Sequence, residues 1–348
     1  MSSFTDAVAA RMRRAIRDAF TDATTEAFAA STDSSHGEVT GHPVRAVIER
    51  YLSRPASYVR PLLLEATARA YGVRGAESPG RALVALAAAT ELLHIFALIH
   101  DDVIDRDRPV RASGMEESTT SALLAGDLVH SIAAGLLAHT VVDRDLDRTI
   151  LGEVRAISVR TILGQYRDMH YLPLTPDHPI GFDDLYRLYD EKTGWYTVAA
   201  PLRIGAFAAG SSPDATIPAS PEELALLTRV ALPLGRAYQL RDDCTDLLAA
   251  LRSPEERRPF PRWELNLAVT WLHATGHPVP DSVPSTTGSP ADMIARLREV
   301  IDPTSLSRDI EERITALRTE AERAARALSL PARRREDLLR RAREILDL

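Results

Sequence analysis

Apolar residues recur at helical spacing along most of the chain. Phe4, Val8, Met12, Ile16 and Phe20 stand four residues apart and predict an amphipathic helix over 4–28. The polar stretch STDSSHGEVTGHP (31–43) reads as a loop, and Pro43 to Leu52 as a second helix. RPASYVRP (54–61), with two prolines, reads as a connection into a helix from Leu62 to Tyr71, followed by a turn over 72–80. The run from Arg81 to Asp105 is apolar on most sides. At about 25 residues, or roughly 37 Å, it belongs at the centre of a helical bundle. Residues 106–118 form an Arg-rich loop. Further helices are predicted at Leu123–His139, Asp147–Tyr171, Phe182–Ala209 with a kink at Pro201, Glu222–Leu251 with Pro233 inside, and Leu265–Ala274. Pro-rich breaks fall at 173–181, 211–221 and 276–290, and a charged, Pro-rich stretch at 252–262. Asp292–Ile301 and Ser305–Leu348 supply closing helices with Arg and Glu in i,i+4 relation. No stretch has the two-residue period of a strand. The expected fold is all-α, a single domain over 1–348 with loops at 31–43 and 276–290.

The central run ends in chemistry. In ELLHIFALIHDDVIDRDRPVR (91–111) it carries straight into Asp101, Asp102 and Asp105. Positions i and i+4 share a helix face, so Asp101 and Asp105 point the same way. Crowded carboxylates repel one another and call for a counter-charge. Such hard oxygen ligands suit Mg²⁺, though a solvated acidic helix end has the same pattern. The spacing returns in GRAYQLRDDCTDL (235–247) as Asp242, Asp243 and Asp246. Two such helices side by side would set six carboxylates around one cavity mouth. That arrangement needs several cations and suits a polyanion such as a diphosphate held through Mg²⁺.

Composition narrows the picture. The chain has 348 residues, 45% of them hydrophobic, enough for a large core, and a net charge of −7, which argues against a nucleic-acid-binding surface. Its one cysteine, Cys244, excludes an internal disulfide framework and fits a reducing cytoplasm. The N-terminal stretch has no apolar core of secretory-signal type. No apolar run approaches the roughly 18 residues of a membrane span, so no transmembrane segment is expected. Among the 42 basic residues only Lys192 is a lysine, which is either chance or a need for an ammonium at that place.

The motifs ELLHIFALIHDDVID, AGDLVHSIAAGLLA, GQYRDM, EKTGWY and GRAYQLRDDCTD stand in one order. Together they resemble the trans-type polyprenyl synthase family, the farnesyl and geranylgeranyl diphosphate synthases. The resemblance implies the class I isoprenoid synthase helical bundle around a central cavity, a homodimer, and three Mg²⁺ ions with substrate bound. It implies a reaction in which an allylic diphosphate ionises and the cation is captured by isopentenyl diphosphate. Asp101, Asp105 and Asp242 would be the main metal ligands, with Asp102, Asp243 and Asp246 partial ones. Lys192 and Thr193 match the motif that touches the allylic diphosphate, and Gln239 a polar group near the reacting centre. Arg60, His94 and Arg111 match the second diphosphate site. Phe96, one turn deeper than Asp101, matches a position that limits product length, here to C15–C20, or is core packing.

The chain departs from the family pattern in its cations. Ser57 stands where a lysine is usual, Val110 where the first of two arginines is usual, and SPEERRPFPRWELN (253–266) has no lysine. Losing a charged contact to a diphosphate costs about 1.5–3 kcal/mol. Arg106, Arg108, Arg257, Arg258 and Arg262 are candidates to compensate. Two other readings therefore stay open. One is a terpene synthase-like enzyme or a prenyltransferase with a different acceptor; the other is a non-catalytic regulatory subunit.

Overall fold

The apolar spacing is realised as helix, and no strand occurs among the described residues. The computed structural model describes residues 10–11, 13–18, 21–22, 25, 43–54, 56–73, 81–104, 119–139, 144–170, 181–210, 219–252, 266–280 and 290–348. Asp105, the 106–118 loop with Arg111, most of 31–43, the 253–265 stretch and residues 281–289 lie outside the described residues. The chain groups into two compact units, Met1–Ala156 with Pro201–Ala219, and Ile157–Ala200 with Ser220–Leu348. The sequence alone suggests a single domain.

The first unit contains α1 (Pro43–Ser53), α2 (Val59–Ala70), α3 (Arg81–Ile104), α4 (Thr119–His139) and the start of α5 (Arg144–His170). The helix α3 packs against α4 and α2, as its apolar perimeter predicts, with Leu86, Leu92 and Ile99 fully buried. Helix α2 starts at Val59, three residues before the expected Leu62, because Pro61 falls in the first turn, where its missing N–H costs nothing. Tyr58 just before it is left-handed, at φ 52° and ψ 36°. This is a conformation that a bulky side chain adopts only when its surroundings hold it there.

One expectation is corrected. Ala82–Ile104 and Thr119–Leu137 are each long and apolar enough to cross a membrane. Thr90, Glu91 and His94 interrupt the apolar run of α3 without making it polar on average. In α3, 67% of that window is buried inside the protein.

The second unit is built on α8 (Pro221–Arg252), which packs along α11 (Pro303–Ala325). Around it lie α6 (Phe182–Tyr189), α9 (Asn266–Ala274), α10 (Pro290–Val300) and α12 (Ala332–Leu346). Leu240, Leu247, Leu267, Leu297 and Leu306 form its core. The Asp302 carboxylate caps α11 by accepting from Ser305 N at 2.9 Å, a contact worth ~1 kcal/mol.

The single helix expected over 182–209 is three pieces. Between α6 and α7 (Ala200–Gly210) lies a π-helical segment, Asp190–Ala199. At its end Ala200 N donates to Trp195 O, five residues back, and Pro201 beyond it has no N–H to donate. Two glycines let neighbouring helices press against the widened turn. A Cβ on Gly164 of α5 would lie 2.5 Å from Lys192 N, and one on Gly235 of α8 would lie 2.6 Å from Gly194 Cα. The predicted kink at Pro201 is thus replaced by a wide segment upstream of it, which carries Lys192 and Thr193.

Candidate active site

The second acidic cluster is turned by helix geometry. Consecutive residues of a helix point about 100° apart, so a D-D pair cannot face one way. Asp242 and Asp246, one turn apart, are both exposed, while Asp243 turns inward. Gln239, one turn before Asp243, shares the inner face. Tyr189 Oη donates to Asp243 Oδ2 at 2.5 Å and Gln239 Nε2 donates to Oδ1 at 2.6 Å. Thr193 Oγ1 in turn donates to Gln239 Oε1 at 2.7 Å. Burial pushes the Asp243 carboxyl up to about 7, against the opposing pull of Tyr189, Lys192 and Gln239. Both Asp243 oxygens are thus engaged, and Asp242 and Asp246 lie on the exposed face.

Lys192 is held beside this chain of hydrogen bonds. Its Nζ donates to Asp168 Oδ2 at 2.5 Å, and Asn266 Nδ2 donates to Asp168 Oδ1 at 2.8 Å. The Asp168 side chain is 8% exposed and that of Lys192 is 26% exposed, so the carboxylate is sunk and the ammonium looks outward. Arg236 Nε and Nη2 bind both oxygens of Asp190, at 2.8 and 2.7 Å, and fix the start of the π-helical segment to α8. The second unit therefore holds Lys192, Thr193, Gln239, Asp242, Asp243 and Asp246. Asp168, Asn266 and Tyr189 were missed. Asp168 lies within GQYRDM and Tyr189 sits three residues before Lys192, but only packing shows what they hold.

In the first unit, Asp101 and Asp102 end α3, both half-buried. Asp102 is tied to α1: Tyr51 Oη donates to its Oδ2 at 2.6 Å and Arg54 Nη2 at 3.0 Å. The Arg54 guanidinium lies 4.0 Å from the centre of the Tyr51 ring. Phe96 is buried between two imidazoles, 4.7 Å from His100 and 4.9 Å from His130, centroid to centroid. No group of three metal-binding side chains stands together among the described residues.

Beside Asp102 a cavity of about 170 Å³ opens, lined by Arg13, Arg17, Arg54, Arg60, Glu91 and His94. Arg60 and His94, expected at a diphosphate site, thus share one pocket. Arg13, Arg17 and Arg54 were not foreseen there. Burial, with the Arg60 charge, holds His94 well below its usual value and so neutral at neutral pH. Glu91 is fully buried, its Oε2 has no hydrogen-bond partner among the described residues, and burial lifts its carboxyl from 4.5 to about 7 despite Arg60.

This raised carboxyl makes stability depend on pH. Between about 4.5 and about 7 the folded state holds a proton that the unfolded state has lost. The contribution is complete below 4.5 and disappears as pH rises through 7. Glu91→Gln is expected to flatten that slope, worth on the order of 3 kcal/mol, in denaturant melts at pH 5 and 7.5. An unchanged slope would show that Glu91 ionises normally.

Three comparisons with known proteins bear on this geometry. Residues 42–254, more than half of the chain, match the Polyprenyl synthetase family. A geranylfarnesyl diphosphate synthase of Aeropyrum pernix is 34% identical over 194 residues, covering 53% of this chain and 55% of the relative. The farnesyl diphosphate synthase of Escherichia coli K12 is 28% identical over 196 residues, covering 55% and 61%. The chain thus spans little more than half the length of these relatives. Among solved structures, the geranylgeranyl pyrophosphate synthetase of Pyrococcus horikoshii Ot3 has the same fold, with a TM-score of 0.69 at 19% identity over 99% of this chain and 97% of that one. A geranylgeranyl pyrophosphate synthase of Corynebacterium glutamicum complexed with isoprenyl diphosphate and magnesium gives 0.62 at 20% identity over 97% and 98%. The all-α architecture, the paired acidic motifs and the family match agree: this chain belongs to the polyprenyl synthetase family.

Proposed function

We propose that the protein is a Mg²⁺-dependent prenyltransferase that ionises an allylic diphosphate and joins the cation to isopentenyl diphosphate, giving a C15–C20 product. The observation that carries this reading is the array in the second unit. The only lysine of the chain is held by a buried carboxylate, next to a Thr–Gln–Asp hydrogen-bond chain and two exposed carboxylates one turn apart.

The C–O bond to the allylic diphosphate breaks with its electron pair leaving on the diphosphate. Negative charge grows on the leaving oxygens, so a cation already aimed at them lowers the barrier. Lys192 is that cation, and Asp168 and Asn266 set its direction. The isopentenyl double bond then forms a new C–C bond to the allylic carbon, and a proton is lost to restore an alkene. The oxygens of Thr193 and Gln239 face the developing positive charge. Asp101 in the first unit, and Asp242 and Asp246 in the second, are hard oxygen donors of the kind that would hold Mg²⁺, and the ion would supply positive charge against the leaving diphosphate. Asp243 orients rather than ligates, since its oxygens are already occupied.

The test is to incubate purified protein and Mg²⁺ with geranyl, farnesyl or geranylgeranyl diphosphate, with and without isopentenyl diphosphate. Elongated diphosphates are expected only when isopentenyl diphosphate is present. Hydrocarbons or alcohols formed without it would favour a cyclase, and no release of diphosphate in any mixture would favour a non-catalytic subunit.

The proposed assembly is a homodimer. On the second-unit part of α5, Val159, Ile162, Leu163 and Tyr166 are 49, 54, 52 and 62% exposed, an apolar strip of the kind that subunits cover. Ile162→Arg is expected to shift the protein toward monomer in light scattering. An unchanged mass would move the interface elsewhere. The net charge of −7 supports no nucleic-acid partner, and a single buried free cysteine supports a cytoplasmic setting. The burial of α3 supports a chain that does not cross a membrane.

A further inference from the structure

The cavity beside Asp102 inverts the charge of the molecule. The chain is acidic overall, at −7, yet four guanidinium groups surround this space of about 170 Å³. Two of them come from the N-terminal segment, which lies outside the family match at 42–254. Arg13 stands three residues before Ile16 and four before Arg17, so it neighbours both on the helix surface. Ile16 is 2% exposed, so its burial brings that turn onto the rest of the unit. The Arg13 guanidinium stands 5.4 Å from the centre of the Tyr58 ring, on the residue held in a left-handed conformation. Ser57 lines the same cavity and adds no charge.

The remaining lining tells what the space admits. Arg60 lines it and is itself buried. Glu91, the one carboxyl of the lining, is lifted toward neutrality and opposes an anion little. Leu52, Ile95 and Leu98 add an apolar wall. The chemistry is that of a small polyanion with a short apolar tail, bound by guanidinium groups.

We propose that Arg13 and Arg17 hold the diphosphate of the second substrate, so that the N-terminal segment supplies the cationic charge that Ser57 does not. This deepens the prenyltransferase reading and rests on it for the identity of the ligand. Arginine binds diphosphate oxygens by two parallel N–H donors, which a lysine cannot do. The segment thereby becomes part of the binding site, closing it from outside the family's common core.

The test uses the full chain in EDTA. Inorganic diphosphate and isopentenyl diphosphate are titrated calorimetrically into the wild type, Arg13→Gln/Arg17→Gln, and that double variant with Ser57→Lys added. Wild type is expected to bind both ligands. The double variant should bind them ~100-fold or more weakly, about tenfold per lost charged contact, with unchanged circular dichroism and melting temperature. Ser57→Lys should recover at least ~10-fold. In turnover, KM for isopentenyl diphosphate should rise while KM for the allylic substrate stays constant.

Equal affinity in wild type and double variant overturns the proposal, as does absence of metal-free binding by the wild type. A loss that Ser57→Lys does not recover assigns the arginines a packing role and overturns it too. The two readings fail separately. Arginine-dependent binding without any elongated product would sink the prenyltransferase reading alone. Elongation with an unchanged KM in the double variant would sink the arginine assignment alone.

Discussion

Replacing Asp242 or Asp101 by alanine is expected to lower turnover by at least ~10²–10³-fold and to leave the fold intact. Asp242 is exposed on α8, one turn from Asp246, and is not among the buried residues of that helix. Its removal should change stability by no more than about 0.5 kcal/mol. Rate falls because the leaving diphosphate must depart through an array of positive charge, and a missing carboxylate ligand weakens that array. Asp101 is half-buried near the end of α3.

The contrast is Asp243→Ala. That change leaves the Tyr189 hydroxyl and the Gln239 amide without their acceptor in a buried setting, and should cost about 1–3 kcal/mol of stability. Steady-state kinetics across a Mg²⁺ titration, beside thermal melts, separates the cases. Near-wild-type rates in Asp242→Ala or Asp101→Ala would show the metal assignment to be wrong.

Lys192→Met is expected to reduce kcat/KM by about 10- to 150-fold, the loss of a charge-assisted contact worth about 1.5–3 kcal/mol. It should also destabilise the protein, for a different reason. Asp168 would keep only the neutral Asn266 donor while its charge stays buried. Breaking such a pair costs about 3–5 kcal/mol, an upper figure here because the ammonium is partly open to water.

The double variant Lys192→Met/Asp168→Asn distinguishes the two effects. With the Asp168 charge removed together with its Lys192 partner, its melting temperature should return toward that of the wild type while turnover stays low. Turnover that recovers along with stability would reduce Lys192 to a structural ion pair. The π-helical segment explains why an ammonium works there. Gly164 and Gly235 bring α5 and α8 onto its backbone, so Lys192 leaves a rigid turn with little freedom to reorient.

Much of the fold was legible because helical periodicity is local information. The apolar spacing of Arg81–Asp105 placed α3 and its acidic end, and Pro61 shifted the start of α2 by less than a turn. The segment 182–209 was legible as helix but not as three pieces. Its π-helical middle depends on two close glycine contacts with helices distant in sequence, and no local pattern encodes those. Single polar residues inside α3 hid an overall apolar character in the sequence, which the fold shows as a helix with 67% of its apolar window buried.

The sequence by itself marked the candidate chemistry: two D-D-x-x-D clusters, one lysine, and an excess of arginine. It did so because metal and diphosphate binding require particular functional groups at particular helical spacings. Tertiary structure alone decided what each group does. Asp243 is turned inward, where Tyr189 and Gln239 meet it, while Asp242 and Asp246 are exposed. Asp168 became the support of Lys192 through a contact 24 residues apart. Arg13 and Arg17 joined Arg60 around one cavity because Ile16 is buried. Burial and the choice of partner are properties of contacts between distant segments, and those exist only once the chain has folded.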